Sequence, residues 1–177
     1  LHGGSIGTPD AAATPEVRDQ DARRLSSRRI MKNTPAPPVT RERFGVDGPV
    51  DRISGMDFFY PGFHAGIGDS RVSEGQPQAG RQLNQSRVWH AVTPATKTST
   101  NYFFAMGSPD REGVEFMVEY LKPVLAEDIF ATEQIEKIIS TVDDVPPELM
   151  LRSDTTAVMG RRVLQAMMDA EAAPPAG

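Results

Sequence analysis

Apolar residues alternate with polar ones at period two through the middle of the chain and recur at helical spacing over its last third, which predicts strands followed by helices. Residues 53–60 (ISGMDFFY) and 63–68 (FHAGIG) flank Pro61-Gly62, a turn signal, and read as an antiparallel hairpin. A polar loop over 69–85 leads to a second pair, 86–93 (SRVWHAVT) and 100–106 (TNYFFAM). In the third strand Val88, His90 and Val92 share one face and Trp89 and Ala91 the other, so His90 sits among apolar neighbours. After Gly107-Ser108-Pro109, Val114, Met117, Val118 and Leu121 form one helical stripe, and Pro123 either kinks that helix or opens a new one. Val124, Leu125, Ile135, Ile138, Ile139 and Val142 continue an apolar face until Pro146-Pro147. Asp154, with Thr155 and Thr156, is an N-cap signal for a last helix over 158–170. Strands followed by long helices define an α+β domain.

The first third follows neither pattern. Residues 8–29 are polar and charged and read as surface structure, while 32–52, with Pro35, Pro37, Pro38 and Pro49, reads as a loop that contributes no core element. The aromatic group Phe58, Phe59, Tyr60, Phe103 and Phe104 reads first as core and second as the wall of a pocket for a planar ligand.

Composition then narrows the function classes. The 177 residues suit one domain, and no apolar run approaches the roughly 18 residues of a membrane helix. Nineteen Lys and Arg against 24 Asp and Glu give a net charge of -5, which argues against nucleic acid as a partner. Without cysteine the chain holds no disulfide, zinc-thiolate site, iron–sulfur cluster or cysteine nucleophile, so a metal must be bound by carboxylates and by His2, His64 or His90. The lack of cysteine also favours the cytoplasm.

Asp128 stands on the apolar stripe, four residues after Val124 and seven before Ile135. A carboxylate in such a place is normally metal-bound, neutralised, or paired with an arginine or a helix cap. His90 reads as a hydrogen-bonded core histidine or a ligand, His2 as a surface histidine, and His64, pointing away from Phe63, Ala65 and Ile67, as a surface or rim residue.

A family pattern covers nearly the whole chain: 1–7 (LHGGSIG), 36–38 (APP), 49–52 (PVDR), 90–94 (HAVTP) with 98–100 (TST), 102–105 (YFFA), 126–128 (AED) with Glu133-Gln134, and Asp154 followed by 161–164 (RRVL). In that order these pieces resemble the C-terminal catalytic domain of Rieske-type non-haem iron oxygenases, in the vanillate and dicamba demethylase group. The resemblance implies a helix-grip (START-like) fold with an antiparallel sheet packed on a long C-terminal helix, and residues 1–177 as a single catalytic-domain fragment.

It further implies a mononuclear Fe(II) bound by two His and one Asp, with His2 matching the second His and Asp128 the carboxylate. The first His, the 2Fe-2S Rieske cluster domain and the Asp that links the two centres would lie upstream of Leu1. Electrons would come from NAD(P)H through a ferredoxin or flavin reductase, and the full-length protein would be a homotrimer. The implied reaction is O2-dependent oxidation of an aromatic substrate, with O-demethylation of a methoxy-aromatic acid first and ring hydroxylation second. A non-catalytic helix-grip carrier of hydrophobic small molecules is the rival from another class. Relatives often carry His where Asn101 stands and Arg near Met106-Gly107-Ser108. His90 and Asn101 lie on successive strands whose antiparallel pairing is expected to bring both to a common cavity as substrate-binding residues, the alternative being a His90 satisfied by a backbone carbonyl and an Asn101 facing solvent.

Overall fold

The computed structural model describes residues 8–144 and 147–172. Within these residues six strands form one sheet in sequential order: β1 (Val17–Gln20), β2 (Arg24–Thr34), β3 (Val50–Phe59), β4 (Phe63–Val72), β5 (Gln82–Pro94) and β6 (Thr100–Gly107). Every neighbouring pair is antiparallel. Among the described residues four helices accompany it: α1 (Pro9–Ala13), α2 (Pro38–Phe44), α3 (Arg111–Ile139) and α4 (Thr155–Ala172). This is the α+β arrangement that the sequence predicts, a helix-grip-like sheet packed against its C-terminal helices.

The first third corrects the sequence reading twice. Residues 8–29 are not merely surface structure, because β2 begins within them with Leu25 1% exposed on its inner face, and it continues past them to Met31, 2% exposed on the same face. Arg and Ser fill the intervening positions, which hides the period-two signal. Their charges are neutralised across the sheet, Arg28 Nη2 donating to Asp57 Oδ2 at 2.7 Å and Arg29 pairing with Glu16 at 2.7 Å. The proline-rich stretch likewise holds α2 and the start of β3, and Ala36 and Val50 are among the most buried residues. Pro38 starts α2 where its missing N–H costs nothing, and Gly45 ends it at φ +62°, a conformation that favours glycine. Ala36, Val50, Val72 and Leu83 form the core at that end of the sheet.

α3 is one helix of 29 residues with Pro123 inside it, capped by Asp110, whose carboxylate accepts the Gly113 N–H at 2.6 Å. Its first half buries Met117, Leu121 and Val124 against Phe104 and Met106 of β6. The expected continuation of the apolar face differs in its environment, since Ile129, Phe130, Ile135 and Ile138 are exposed. The helix also ends at Ile139, before the Pro146-Pro147 signal, of which Pro146 lies outside the described residues.

α4 begins at Thr155, three residues earlier than its apolar pattern, after a single 3-10 turn over Arg152–Asp154. Its Gly160 faces the Phe58 ring, where an added Cβ would stand 3.2 Å from two ring carbons. The Thr156 hydroxyl donates to Glu16 at 2.5 Å and ties the same helix to the β1 side. No helix among the described residues is long and apolar enough to cross a membrane.

If β2 is a core strand, Leu25→Ala should destabilise the protein by about 2–5 kcal/mol in a urea unfolding titration. A surface segment would give a change within about 0.5 kcal/mol.

Candidate functional site

Between the inner face of the sheet and α2 and α3 lies a cavity of about 390 Å³. Strand register decides what faces it, because residues directly opposite one another in an antiparallel sheet share a face. Leu25, Phe58, His64, His90 and Phe104 form one inner row across β2 to β6. The next row is Ser27, Met56, Gly66, Val88 and Met106, and beyond it stand Arg29, Ser54, Gly68 and Ser86. Met117, Leu121, Val124 and Leu125 of α3 close the cavity from the other side, and Asp128 lines it one turn beyond Val124.

The space exists because β4 carries small residues on this face. A Cβ on Gly66 would meet Val88 and Met56 at 3.6 and 3.7 Å, ordinary contact, so glycine here frees volume and is not demanded by the backbone. On Gly68 it would stand 2.7 Å from the Ser86 hydroxyl. The polar groups of this floor are mutually satisfied: the Asn84 side-chain amide donates to the Gly68 carbonyl at 2.9 Å, and the Ser86 hydroxyl donates to the same carbonyl at 3.2 Å. The floor therefore presents little unmet hydrogen-bonding demand to a ligand's ring.

His90 Nδ1 and the Tyr102 hydroxyl share a hydrogen bond of 2.5 Å, and the two rings stack at 30° with centroids 5.8 Å apart. Burial holds the His90 pKa below the ordinary histidine value, while the Asp128 charge opposes that shift. Burial and the Asp128 charge together raise the Tyr102 pKa, so the phenol keeps its proton. When that hydroxyl donates to Nδ1 of the neutral ring, Nε2 carries the imidazole's proton and is a donor. Both effects place the Asp128 carboxylate within electrostatic reach of the His90–Tyr102 pair.

The structure thus brings His90 and Asp128 to one cavity and does not bring Asn101 there. Asn101 pairs with Thr93, is exposed, and shares its face with Phe103, which is opposite to that of His90. The expectation of a common cavity for His90 and Asn101 fails because the two positions differ in strand parity. Tyr102, one residue on, has the right parity. The same parity splits the aromatic group: Phe58 and Phe104 face inward, whereas Phe59 and Phe103 are exposed on the outer face. His2 lies outside the described residues.

His64, read from the sequence as a surface or rim residue, is half-buried and stands outside the cavity lining. It does point away from Phe63, Ala65 and Ile67, but that is the inner face, where it stacks on Phe58 with centroids 4.4 Å apart and planes within 6°. Gly66, Gly68 and Ser70 follow it at period two, and that run of small residues was the available signal of a cavity. Burial lowers the His64 pKa, and the neighbouring His90 lowers it further.

Among the described residues no three His, Cys, Asp or Glu side chains converge as a metal site. The donor chemistry still fits a metal of the iron type. Asp128 offers a hard oxygen donor, half-buried in the lining of an apolar-walled cavity.

Residues 1–170 match the family described as Vanillate O-demethylase oxygenase C-terminal domain. The Vanillate O-demethylase oxygenase subunit of Pseudomonas sp. (strain ATCC 19151) is 28% identical over 188 residues, covering 99% of this chain and 56% of that protein. The chain therefore spans little more than half the length of that curated relative. Dicamba monooxygenase bound to 3,6-dichlorosalicylic acid superposes with a TM-score of 0.81 at 21% identity, over 98% of this chain and 52% of that one. Dicamba monooxygenase bound to dicamba gives 0.77 at 22% identity, over 98% and 51%. At these identities the structural likeness establishes the fold.

A histidine with a depressed pKa is protonated in the unfolded chain before the folded one. Stability should therefore fall as the pH drops below about 6.5. His64→Phe keeps a ring on Phe58 and removes that proton uptake, so urea titrations at pH 7.5 and 5.5 should show a smaller acid loss in the variant than in the parent.

Proposed function

The chain belongs to the family of vanillate O-demethylase oxygenase C-terminal domains, and from that premise we propose that it is the catalytic part of an oxygenase that oxidises an aromatic compound with O2. O-demethylation of a methoxy-aromatic acid is the reaction we assign. The observation that carries this reading is the cavity itself, with apolar walls, a small-residue floor, and His90 and Asp128 in its lining, His90 being held by Tyr102 from outside it.

We assign His2 and Asp128 to a mononuclear iron, completed by a histidine outside this sequence. The 2Fe-2S Rieske cluster, fed by a reductase, belongs to a part of the protein beyond this chain, and the complete protein is read as a homotrimer. Iron bound at Asp128 would supply the O2 chemistry. The chain's own residues do the rest. Met117, Leu121 and Val124 exclude water and hold the ring by apolar contact, and Phe104 adds an aromatic wall on the sheet side. His90, kept neutral by burial and oriented by Tyr102, donates to a polar substituent on the ring. That bond replaces one the substituent loses on leaving water. Asp128 favours the charged form of any cationic neighbour in a half-buried place, as a ligand to a divalent cation must.

In the complete protein Asp128→Ala should abolish iron occupancy, measured by metal analysis, and formaldehyde release from 4-methoxybenzoate, with the thermal midpoint of the apoprotein kept. Asp128→Asn, which retains volume but not charge, should bind iron more weakly than the parent. An Asp128→Ala protein that keeps its iron overturns the ligand assignment. A parent with full iron that converts no methoxy-aromatic acid to its phenol overturns the reaction.

His90→Ala should raise the apparent KM or uncouple O2 consumption from product while iron content stays normal. A loss of stability alone, with KM and coupling unchanged, would make His90 a packing residue.

A further inference from the structure

Arg52 lies on the inner face of β3, opposite Ser70 and two residues before Ser54, and it is the one lysine or arginine among the described residues that line the cavity. Its surroundings differ from those of the other arginines on the central strands. Arg28, Arg29 and Arg87 each hold a carboxylate, from Asp57, Glu16 and Asp69, at 2.7, 2.7 and 2.6 Å. Among the described residues Arg52 has no carboxylate at ion-pair distance. Its Nη1 donates to the Thr8 hydroxyl at 3.1 Å, and Asp10 acts on it only from farther away. Burial works against its charge, yet a guanidinium does not give up its proton in a protein.

A half-buried cation of this kind, whose one side-chain partner among the described residues is the Thr8 hydroxyl, faces a cost that an anion entering the cavity would remove. The planar fork of a guanidinium matches a carboxylate with two parallel hydrogen bonds. Of the other charged residues that line the cavity, Asp69 is held by Arg87, and Asp128 acts on His90 toward the other end. Along β3, three inner positions, Ser54, Met56 and Phe58, lead from Arg52 to the row that holds His64 and His90.

We propose that Arg52 is the carboxylate anchor of the substrate site, selecting an aromatic acid whose carboxylate and oxidised substituent lie at opposite ends of the molecule. The assignment rests on the proposed oxygenase reading and gives it a substrate class. The carboxylate docks on Arg52, the ring lies between the Gly66 and Gly68 floor and the α3 wall, and the substituent reaches the end lined by His90 and Asp128. His90 then serves the substituent and not the acid group.

The test compares 4-methoxybenzoate with its uncharged analogue 4-methoxybenzamide, in the complete protein, by calorimetric binding under anaerobic conditions. The parent should bind the acid more tightly than the amide. Arg52→Gln should weaken the acid roughly 10- to 100-fold, the usual range for removing a charged hydrogen-bond partner, and leave the amide within about 2-fold. Arg52→Lys, which keeps the charge without the fork, should fall between the two, and it carries the test if Arg52→Gln does not fold.

Equal losses for acid and amide, no loss for either, or a parent that does not prefer the acid overturn the assignment. The oxygenase reading fails separately. A parent that binds the acid through Arg52 but releases no formaldehyde with O2 and reductant keeps the anchor and loses the reaction, whereas turnover indifferent to Arg52 does the reverse.

Discussion

The antiparallel register of β3, β4 and β5 is the constraint on which the rest of the site depends. Phe58 faces His64, and His64 faces His90, so three side chains from three strands form one row on the face that α3 covers. A slip of one residue in any of these strands would turn its whole inner set to the outer face. A slip in β4, for example, would replace His64, Gly66 and Gly68 on the inner face by Phe63, Ala65 and Ile67. The stacked Phe58–His64 pair and the His90–Tyr102 hydrogen bond are both consequences of that register, and both lock rings that would otherwise be free to rotate.

The cavity arises from what is missing in the middle of the sheet. Most inner rows end in apolar side chains that pack on a helix: Leu25 and Phe58 meet α4 at Gly160, and Phe104 and Met106 meet α3. Between them Ser54, Gly66, Gly68 and Ser86 are too short to reach the helix, and the space stays open. Packing at both ends fixes the separation of sheet and helix, so the gap does not collapse. Charge follows the same division. The outer-face arginines Arg28 and Arg87 are matched by carboxylates, and Arg29 on the inner face is matched by Glu16. Arg52, on the inner face and bonded to Thr8, has no such carboxylate among the described residues.

The central hairpins and the long third helix were legible in the sequence because their period is carried by bulky apolar residues. The inward placing of Asp128 was legible for the same reason. β2 was not, because Leu25 and Met31 are separated by serines and arginines whose neutralising partners, Asp57 and Glu16, come from other parts of the chain. α2 was hidden by prolines that here occupy a helix start and the segment before it. His64 was placed on the correct side of its own strand, and the error was in which side is covered. Alternation tells which residues share a face, and only the helix packed on one face says which is inside.

The sequence by itself therefore determined the class of fold, the order of strands and helices, the resemblance to its family, and the candidacy of Asp128 and His90. Each of these is carried by short-range spacing or by residue identity. The tertiary structure decided that Tyr102 and not Asn101 accompanies His90, that His64 turns inward onto Phe58, and that Arg52 lines the cavity with no carboxylate at ion-pair distance among the described residues. Each of those depends on the register between strands and on the helix that covers one face, and both are set by contacts between residues far apart in the chain.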